Sequence, residues 1–203
     1  IDKNGDGNPD QYGFAVERGF FTGTIPWMYV NDTSLLNADY TKSNLDDPKA
    51  VEAVQFMQDL IWKYKVSPQP GAPGFNPFNS FMAGNLAMFG AGRWPLMTFV
   101  PEGFADFDIQ LWPKWKIQVS EFGVDGFAML SSVKNVDAAW KLVKYMTKKD
   151  VMSALVGSGE RPVSNIPARR SLATEGDITK LPPKSYKIFY ESLNNAKSVP
   201  APP

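Results

Sequence analysis

An α/β fold is what this sequence predicts, and three observations predict it. Short apolar runs with strand character recur along the chain, at Tyr12–Val16, Leu86–Phe89, Asp108–Trp112 and Gly126–Leu130. Between them lie segments whose apolar residues repeat at a 3.6-residue period. Strand and helix signals therefore alternate rather than segregate, and no internal repeat interrupts the alternation.

Composition narrows the function classes. A chain of 203 residues with 43% hydrophobic and 21% charged side chains can bury a real core. Lys+Arg and Asp+Glu both number 21, so no net field favours nucleic acid, and no basic stripe is clustered. No apolar run approaches the length of a membrane span. Cysteine and histidine are absent. That excludes disulfides, thiolate or imidazole metal sites and His-based triads, and it fits an exported bacterial protein. Aromatics make up 13%, with six Trp. Most will be core, but this Trp count leans toward ligand stacking.

The chain opens with IDKNGDGNPDQYG. Asp2, Asn4, Asp6 and Asp10 occupy positions one, three, five and nine of a loop, Gly7 the sixth, and the Asn8 carbonyl is placed to join them. Alternate oxygens of this kind converge on calcium in the first part of an EF-hand loop. Position twelve is Gly13, not the usual Glu, so the shell needs a ligand from elsewhere. The competing reading is a solvated Asn/Asp/Gly turn series. Any calcium here is structural, pinning the start of the strand Tyr12–Val16.

Residues 20–29 are aromatic and broken by Gly23 and Pro26, hence a loop or short helix in which Phe20, Trp27 and Tyr29 line a cleft or cover a core edge. Asp47-Pro48 starts a helix, with Asp47 as cap and Pro48 at the first position. Its inward face is predicted to be Ala50, Ala53, Val54, Met57, Leu60, Ile61 and Tyr64. Asn76-Pro77 starts a short helix bearing Phe78, Phe81 and Met82. Residues 113–121 read as an exposed connector, and Gly126–Leu130 as a buried strand. Asn135 caps a helix with Ala139, Leu142, Val143 and Met146 inward; Lys149–Val156 forms another. Residues 160–167 are a Pro-punctuated loop, and Tyr186, Phe189, Tyr190 and Leu193 mark a last helix.

The stretch FMAGNLAMFGAGRWP, Phe81 to Pro95, carries the chemistry. A turn at Gly84 and a buried strand lead to a Gly-rich bend, where Gly90 and Gly92 let another molecule approach the backbone. The bend presents Arg93, a planar fork of donors, and Trp94, a flat apolar plate with one N–H. Plate and donors together suit a sugar ring, whose C–H face stacks while its hydroxyls are hydrogen-bonded. Trp94 as ordinary core is the alternative.

Several passages together resemble one family. Phe81-x-x-Gly84-x-x-Ala87-Met88 followed by Gly92-Arg93-Trp94 is similar to the G-x-x-A-M…G-x-W passage of the family 1 extracellular solute-binding proteins, the sugar receptors of ABC importers. DKNGDGNPDQYGF resembles their first strand of this region, DDPKAVEAVQFMQDL their D-P-x-A helix, GFAML with DAAWKLVKYM their G-x-A-I strand and A-A-W-K-F helix, and ERPVSNIPARRS their G-x-x-P-x-R-x-S loop. The resemblance implies a type II periplasmic-binding-protein-like α/β fold of two lobes with solute in the cleft between them. It implies that residues 1–108 are the first part of the C-terminal lobe, 109–158 the crossover and return to the N-terminal lobe, and 159–203 the second part of the C-terminal lobe. The start at Ile1 and the Pro-rich Ser198–Pro203 fit a processed chain or a fragment. Apolar surface left on the return segment then favours dimerisation.

By the same resemblance Trp94 stacks on the sugar, Phe20 is an aromatic platform, and Trp27, Arg93 and Arg161 are further contacts. The implied partners are a carbohydrate and an ABC permease, with no nucleic acid and no catalysis. The implied setting is extracellular, as a membrane-anchored lipoprotein or a periplasmic protein. Two other readings stand beside it. A glycosidase would pair carboxylates such as Asp106 and Asp108, two apart on one strand face. A calcium-stabilised structural or adhesion module would make the first loop the functional part.

Overall fold

The computed structural model describes residues 1–6, 9–17, 19–155, 166–175 and 180–200. In chain order the elements are a π-helical turn Phe20–Thr24, α1 (Ile25–Val30), α2 (Pro48–Trp62), α3 (Pro77–Met82), α4 (Leu96–Phe99), β1 (Ser120–Phe122), α5 (Val136–Met146), α6 (Lys149–Leu155), α7 (Arg170–Glu175), α8 (Ile188–Glu191), a 3-10 turn Ser192–Asn195 and β2 (Ala196–Ser198). The described residues divide into two units. One comprises 1–92, 111–122 and 192–200; the other comprises 93–110 and 123–191.

The first unit is built around α1. All six of its residues are buried, so it has no outward face. Trp27 is the centre of an aromatic cluster: Phe14 at 5.8 Å, Phe56 at 5.1 Å and Trp112 at 5.3 Å between ring centroids. These rings meet edge-on or tilted, the arrangements that ring quadrupoles favour. Helix α2 packs on α1 through Ala50 and Ala53, whose small side chains let the backbones approach. Its stripe is rotated from the predicted one. Phe56 turns inward beside Met57 and Leu60, while Val54 and Tyr64 lie exposed. Asp47 caps the helix as predicted, accepting from Lys49 N at 2.7 Å.

Asn31, at the end of α1, is fully buried and ties three segments together. Its Nδ2 donates to Lys49 O at 2.7 Å and to Glu52 Oε2 at 2.9 Å, and Glu52 also receives Lys116 at 2.6 Å. The stretches predicted as strands at 12–16 and 86–89 lie side by side in parallel but form only isolated bridges, Tyr12 to Leu86 and Ala15 to Phe89. The reason is visible between them: Gly13 and Phe14 turn their N–H groups to Val66 O instead. The one ladder among the described residues is β1 with β2, parallel, with Ser120, Glu121 and Phe122 opposite Ala196, Lys197 and Ser198. The connector 113–121 thus ends in a strand, and Val119 is buried in the core rather than exposed.

Two predicted strands are absent. Residues 108–112, which run from the second unit into the first, form no strand; Ile109 N donates to the Asp108 carboxylate at 3.0 Å, and that carboxylate also accepts from Ser185 N at 3.0 Å and Oγ at 2.8 Å. Gly126–Leu130 forms no ladder among the described residues and is exposed, Leu130 by 74%. An apolar run reads as a buried strand from sequence, but among the described residues nothing pairs with this one. Ala139, Leu142 and Val143 of α5 share a shallow apolar groove with Met129, Leu130 and Val133. Asn135 caps α5 as predicted, accepting from Ala138 N at 3.0 Å. The predicted last helix is a single α-turn, α8, followed by the 3-10 turn.

Candidate functional site

The stretch 76–99 begins as read. Asn76 accepts from Phe78 N and Asn79 N at 3.0 Å each, and α3 follows. Gly84 takes φ +74°, a left-handed angle that glycine adopts without strain. The chain then runs beside Tyr12 and Ala15 and reaches Gly90. A Cβ there would overlap the Trp112 ring and crowd the Thr22 carbonyl. What comes close to this glycine is therefore the protein's own indole, not another molecule. That corrects the sequence-based reason for the residue.

Arg93 and Trp94, in the second unit, lead into α4. Their carbonyls accept from Leu96 N at 3.1 Å and Met97 N at 3.0 Å. Leu96 and Phe99 are buried, and Phe99 meets Phe104 and Phe107 at 5.3 and 5.2 Å. The same turn leaves Trp94 outward and 38% exposed, with Met97 exposed beside it in register. The indole is thus held on an anchored turn with part of its surface open.

Two other candidates behave differently. Arg93 is 3% exposed, with its guanidinium 5.9 Å from the centroid of the Tyr186 ring. Burial pulls this guanidinium below its ordinary range, and Tyr186 opposes the shift. Burial pushes the Tyr186 hydroxyl up, and Arg93 opposes that. The pair is a packed cation–ring contact inside the second unit. Trp27, 8% exposed, is packed among Phe14, Phe56 and Trp112 in the first unit. Core packing accounts for its position. Phe20 opens the π-helical turn, which closes with Gly23 N and Thr24 N on Gly19 O at 2.9 and 3.2 Å. Arg161 and the loop around it lie outside the described residues.

The first loop closes on itself. Asp10 Oδ2 accepts from Lys3 N at 2.7 Å and Asn4 N at 3.3 Å, Asp2 Oδ1 accepts from Gly5 N at 2.7 Å, and Asn4 Oδ1 accepts from Asp6 N at 2.9 Å. Asn4 Nδ2 lies 3.3 Å from Asp6 and 3.4 Å from Asp10. The oxygens are gathered, but they serve the loop's own N–H groups. Among the described residues no three His, Cys, Asp or Glu side chains form a metal-holding group, and Asn8 lies outside those residues. Of the two carboxylates considered for catalysis, Asp108 is held below the ordinary range by the Ser185 hydrogen bonds, first from the side chain and then from the backbone. Such a group is an acceptor, not a proton donor at neutral pH.

One residue escaped the sequence reading. Glu17 Oε2 is buried and has no hydrogen-bond partner among the described residues. Burial pushes its carboxyl upward. It ends the segment that begins at Tyr12, three positions before Phe20, and Val16 N beside it is held by Ser67 Oγ at 3.0 Å. The only signal in sequence was an acid, with Arg18 beside it, in an otherwise mostly apolar stretch. Periodicity treats that as surface.

Comparison with known proteins settles the family. A model of the bacterial extracellular solute-binding proteins matches residues 2–153. The chain belongs to this family. Among its curated relatives is the spermidine/putrescine-binding periplasmic protein of Salmonella typhimurium, 30% identical over 138 residues, which are 65% of this chain and 35% of the relative. Among solved structures, a solute-binding protein of an ABC transporter from Thermotoga lettingae, bound with α-D-tagatose, superposes with a TM-score of 0.75 at 27% identity over 96% of this chain and 50% of its own. An ABC substrate-binding protein of Listeria monocytogenes in complex with cycloalternan also gives 0.75, at 21% identity over 95% of this chain and 49% of its own. The chain thus spans about a third of the curated relative and about half of each structure. The superpositions establish the periplasmic-binding-protein-like fold. Members of this extracellular family bind solutes, and among the described residues no helix is long and apolar enough to cross a membrane.

Proposed function

We propose that this solute-binding protein takes a carbohydrate, mono- or oligosaccharide, between the two lobes of the whole receptor and delivers it to an ABC permease in the membrane. The observation that carries this reading is Trp94, an indole with 38% of its surface open on a turn fixed by buried Leu96 and Phe99. Sugar C–H faces stack on such a plate. Phe20 and Arg161 are further proposed contacts. Trp27 and Arg93, both buried, are looser proposed contacts. The tagatose-bound and cycloalternan-bound neighbours support a sugar. The protein is membrane-anchored or periplasmic in this reading, and these 203 residues on their own dimerise through the exposed apolar residues Val124, Phe127, Leu130 and Leu142 of the return segment. Sedimentation at rising concentration tests the dimer.

Calorimetric titration of the full receptor against a saccharide panel tests the ligand. One sugar should bind, and Trp94→Ala should weaken it about tenfold to a hundredfold, the value of one stacked ring. Equal affinity in wild type and variant overturns the role of Trp94.

A polyamine is the second reading, favoured by the spermidine/putrescine-binding relative and by the Glu17 carboxylate, whose buried oxygen suits an ammonium as well as a hydroxyl. Spermidine and putrescine belong in the same titration. If Glu17 holds an ammonium, Glu17→Gln abolishes polyamine binding; if it holds a sugar hydroxyl, the amide retains most of the affinity.

Calcium in the first loop is a separate proposal, supported by the spacing of Asp2, Asn4, Asp6, Asn8 and Asp10. Binding to the folded state alone raises the melting temperature, by about 2–4 °C per kcal/mol in a chain of this size. Equal melts in calcium and in chelator would remove it.

A further inference from the structure

Glu121 sits in the middle of β1, opposite Lys197 of β2. Register partners in a parallel pair carry their side chains on one face, so an ion pair is the simple expectation. The structure shows another arrangement. Lys197 Nζ lies over the Tyr29 ring, 4.8 Å from its centroid. Tyr29 is itself buried in α1, and its hydroxyl donates to Ser198 O of β2 at 2.6 Å. Val199 N closes the far end on Phe122 O at 3.3 Å. Helix α1 and both strands therefore meet at one small cluster, with a half-buried carboxyl inside it.

The titratable and charged groups around Glu121 are few. Helix α1 brings Tyr29, β2 brings Lys197, and the 3-10 turn Ser192–Asn195 brings none. Tyr40 lies within electrostatic reach of Tyr29, and Asp32, paired with Lys49 at 2.6 Å, is within reach of Lys197. Burial alone pushes the Glu121 carboxyl up to about 7, with no charged partner pulling it back. The place in the chain gives this consequence. Strand β1 ends at Phe122, where the first unit gives way to the second, and β2 follows soon after the chain returns at Ser192.

We propose that β1 and β2 form a proton-operated clasp. With Glu121 neutral, the strands and Tyr29 hold together; when Glu121 releases its proton to solvent, its half-buried carboxylate needs hydration, and admitting water to it loosens the pairing. The direction follows from linkage. Between about 4.5 and about 7 the folded chain holds a proton that the unfolded chain has released. The stabilisation is therefore complete below the lower value and is lost as pH rises through the upper one. The clasp does not depend on which solute the protein binds.

Hydrogen exchange of the full chain tests it. After correction for intrinsic rates, amides of 120–122 and 197–199 should lose protection between pH 6 and pH 8, by at most about tenfold, the full linkage value, and by less in proportion to the exposure of the carboxyl. Amides of α2 should not follow. Glu121→Gln should stay protected at both values. A wild type with pH-independent protection overturns the proposal, as does a Gln variant that loses protection equally. If that variant does not fold, titration of the wild-type Glu121 carboxyl by carbon NMR decides. A midpoint near 7 supports the clasp, and one near the ordinary 4.5 ends it.

Discussion

Trp27 and Trp94 share a side chain and differ in everything that decides its role. Trp27 → Ala would remove the ring on which Phe14, Phe56 and Trp112 converge, leaving a cavity costing about 3–5 kcal/mol by denaturant unfolding. Trp94→Ala would remove a ring already part-open to water, so its unfolding midpoint should barely move while ligand affinity falls. Gly90 gives a third residue-level test. Gly90→Ala drives a methyl group into Trp112 and should cost about 1–3 kcal/mol, read by thermal or denaturant unfolding. If Gly90 served only the approach of a ligand, stability would hold and affinity alone would drop. Sequence singled out both tryptophans and this glycine but could not rank them, because composition says that a ring exists and not what surrounds it. Glu17 shows the reverse case. Its carboxyl oxygen is buried without a partner among the described residues, and no periodic pattern in the sequence announces that.

Helix starts were the most legible elements, because a cap is local chemistry. Asp47, Asn76 and Asn135 each accept backbone N–H bonds at the predicted helix starts. Asn76→Ala should cost about 1 kcal/mol, measurable by chemical denaturation, with the loss concentrated in α3. Faces were less legible. The α2 stripe is offset because Phe56 is drawn to Trp27 and Trp115, a tertiary preference that outweighs the apolar count on either side. Strands were the least legible. Gly126–Leu130 has the composition of a buried strand and lacks a ladder partner among the described residues, while β1 lies in a segment that reads as connector. A strand is defined by its neighbour, and the neighbour of β1 lies some 76 residues further along the chain.

At the scale of the whole molecule, family membership came from the order of weak passages rather than from any one of them. The matched region, residues 2–153, covers four of the five passages that carried the resemblance; the fifth lies beyond it. Solute class is a different matter. The curated relative binds polyamines by name, whereas the structural neighbours hold sugars, and a shared backbone does not choose between them. In the readings proposed above, the open indole of Trp94 argues for a sugar and the buried carboxyl of Glu17 for a polyamine. One titration against both ligand classes therefore decides more than any further comparison of folds.

Helix α1 has one more consequence. Six residues in a row, Ile25 to Val30, are all buried. Should the first unit open, all of them wet together, giving an uncharged hexapeptide of the kind that nucleates intermolecular cross-β stacking. Pro26 sits within it and has no N–H to offer such a stack. Its presence makes the hazard smaller: a ring that suits the first turn of a short helix also acts as a gatekeeper against amyloid-like assembly.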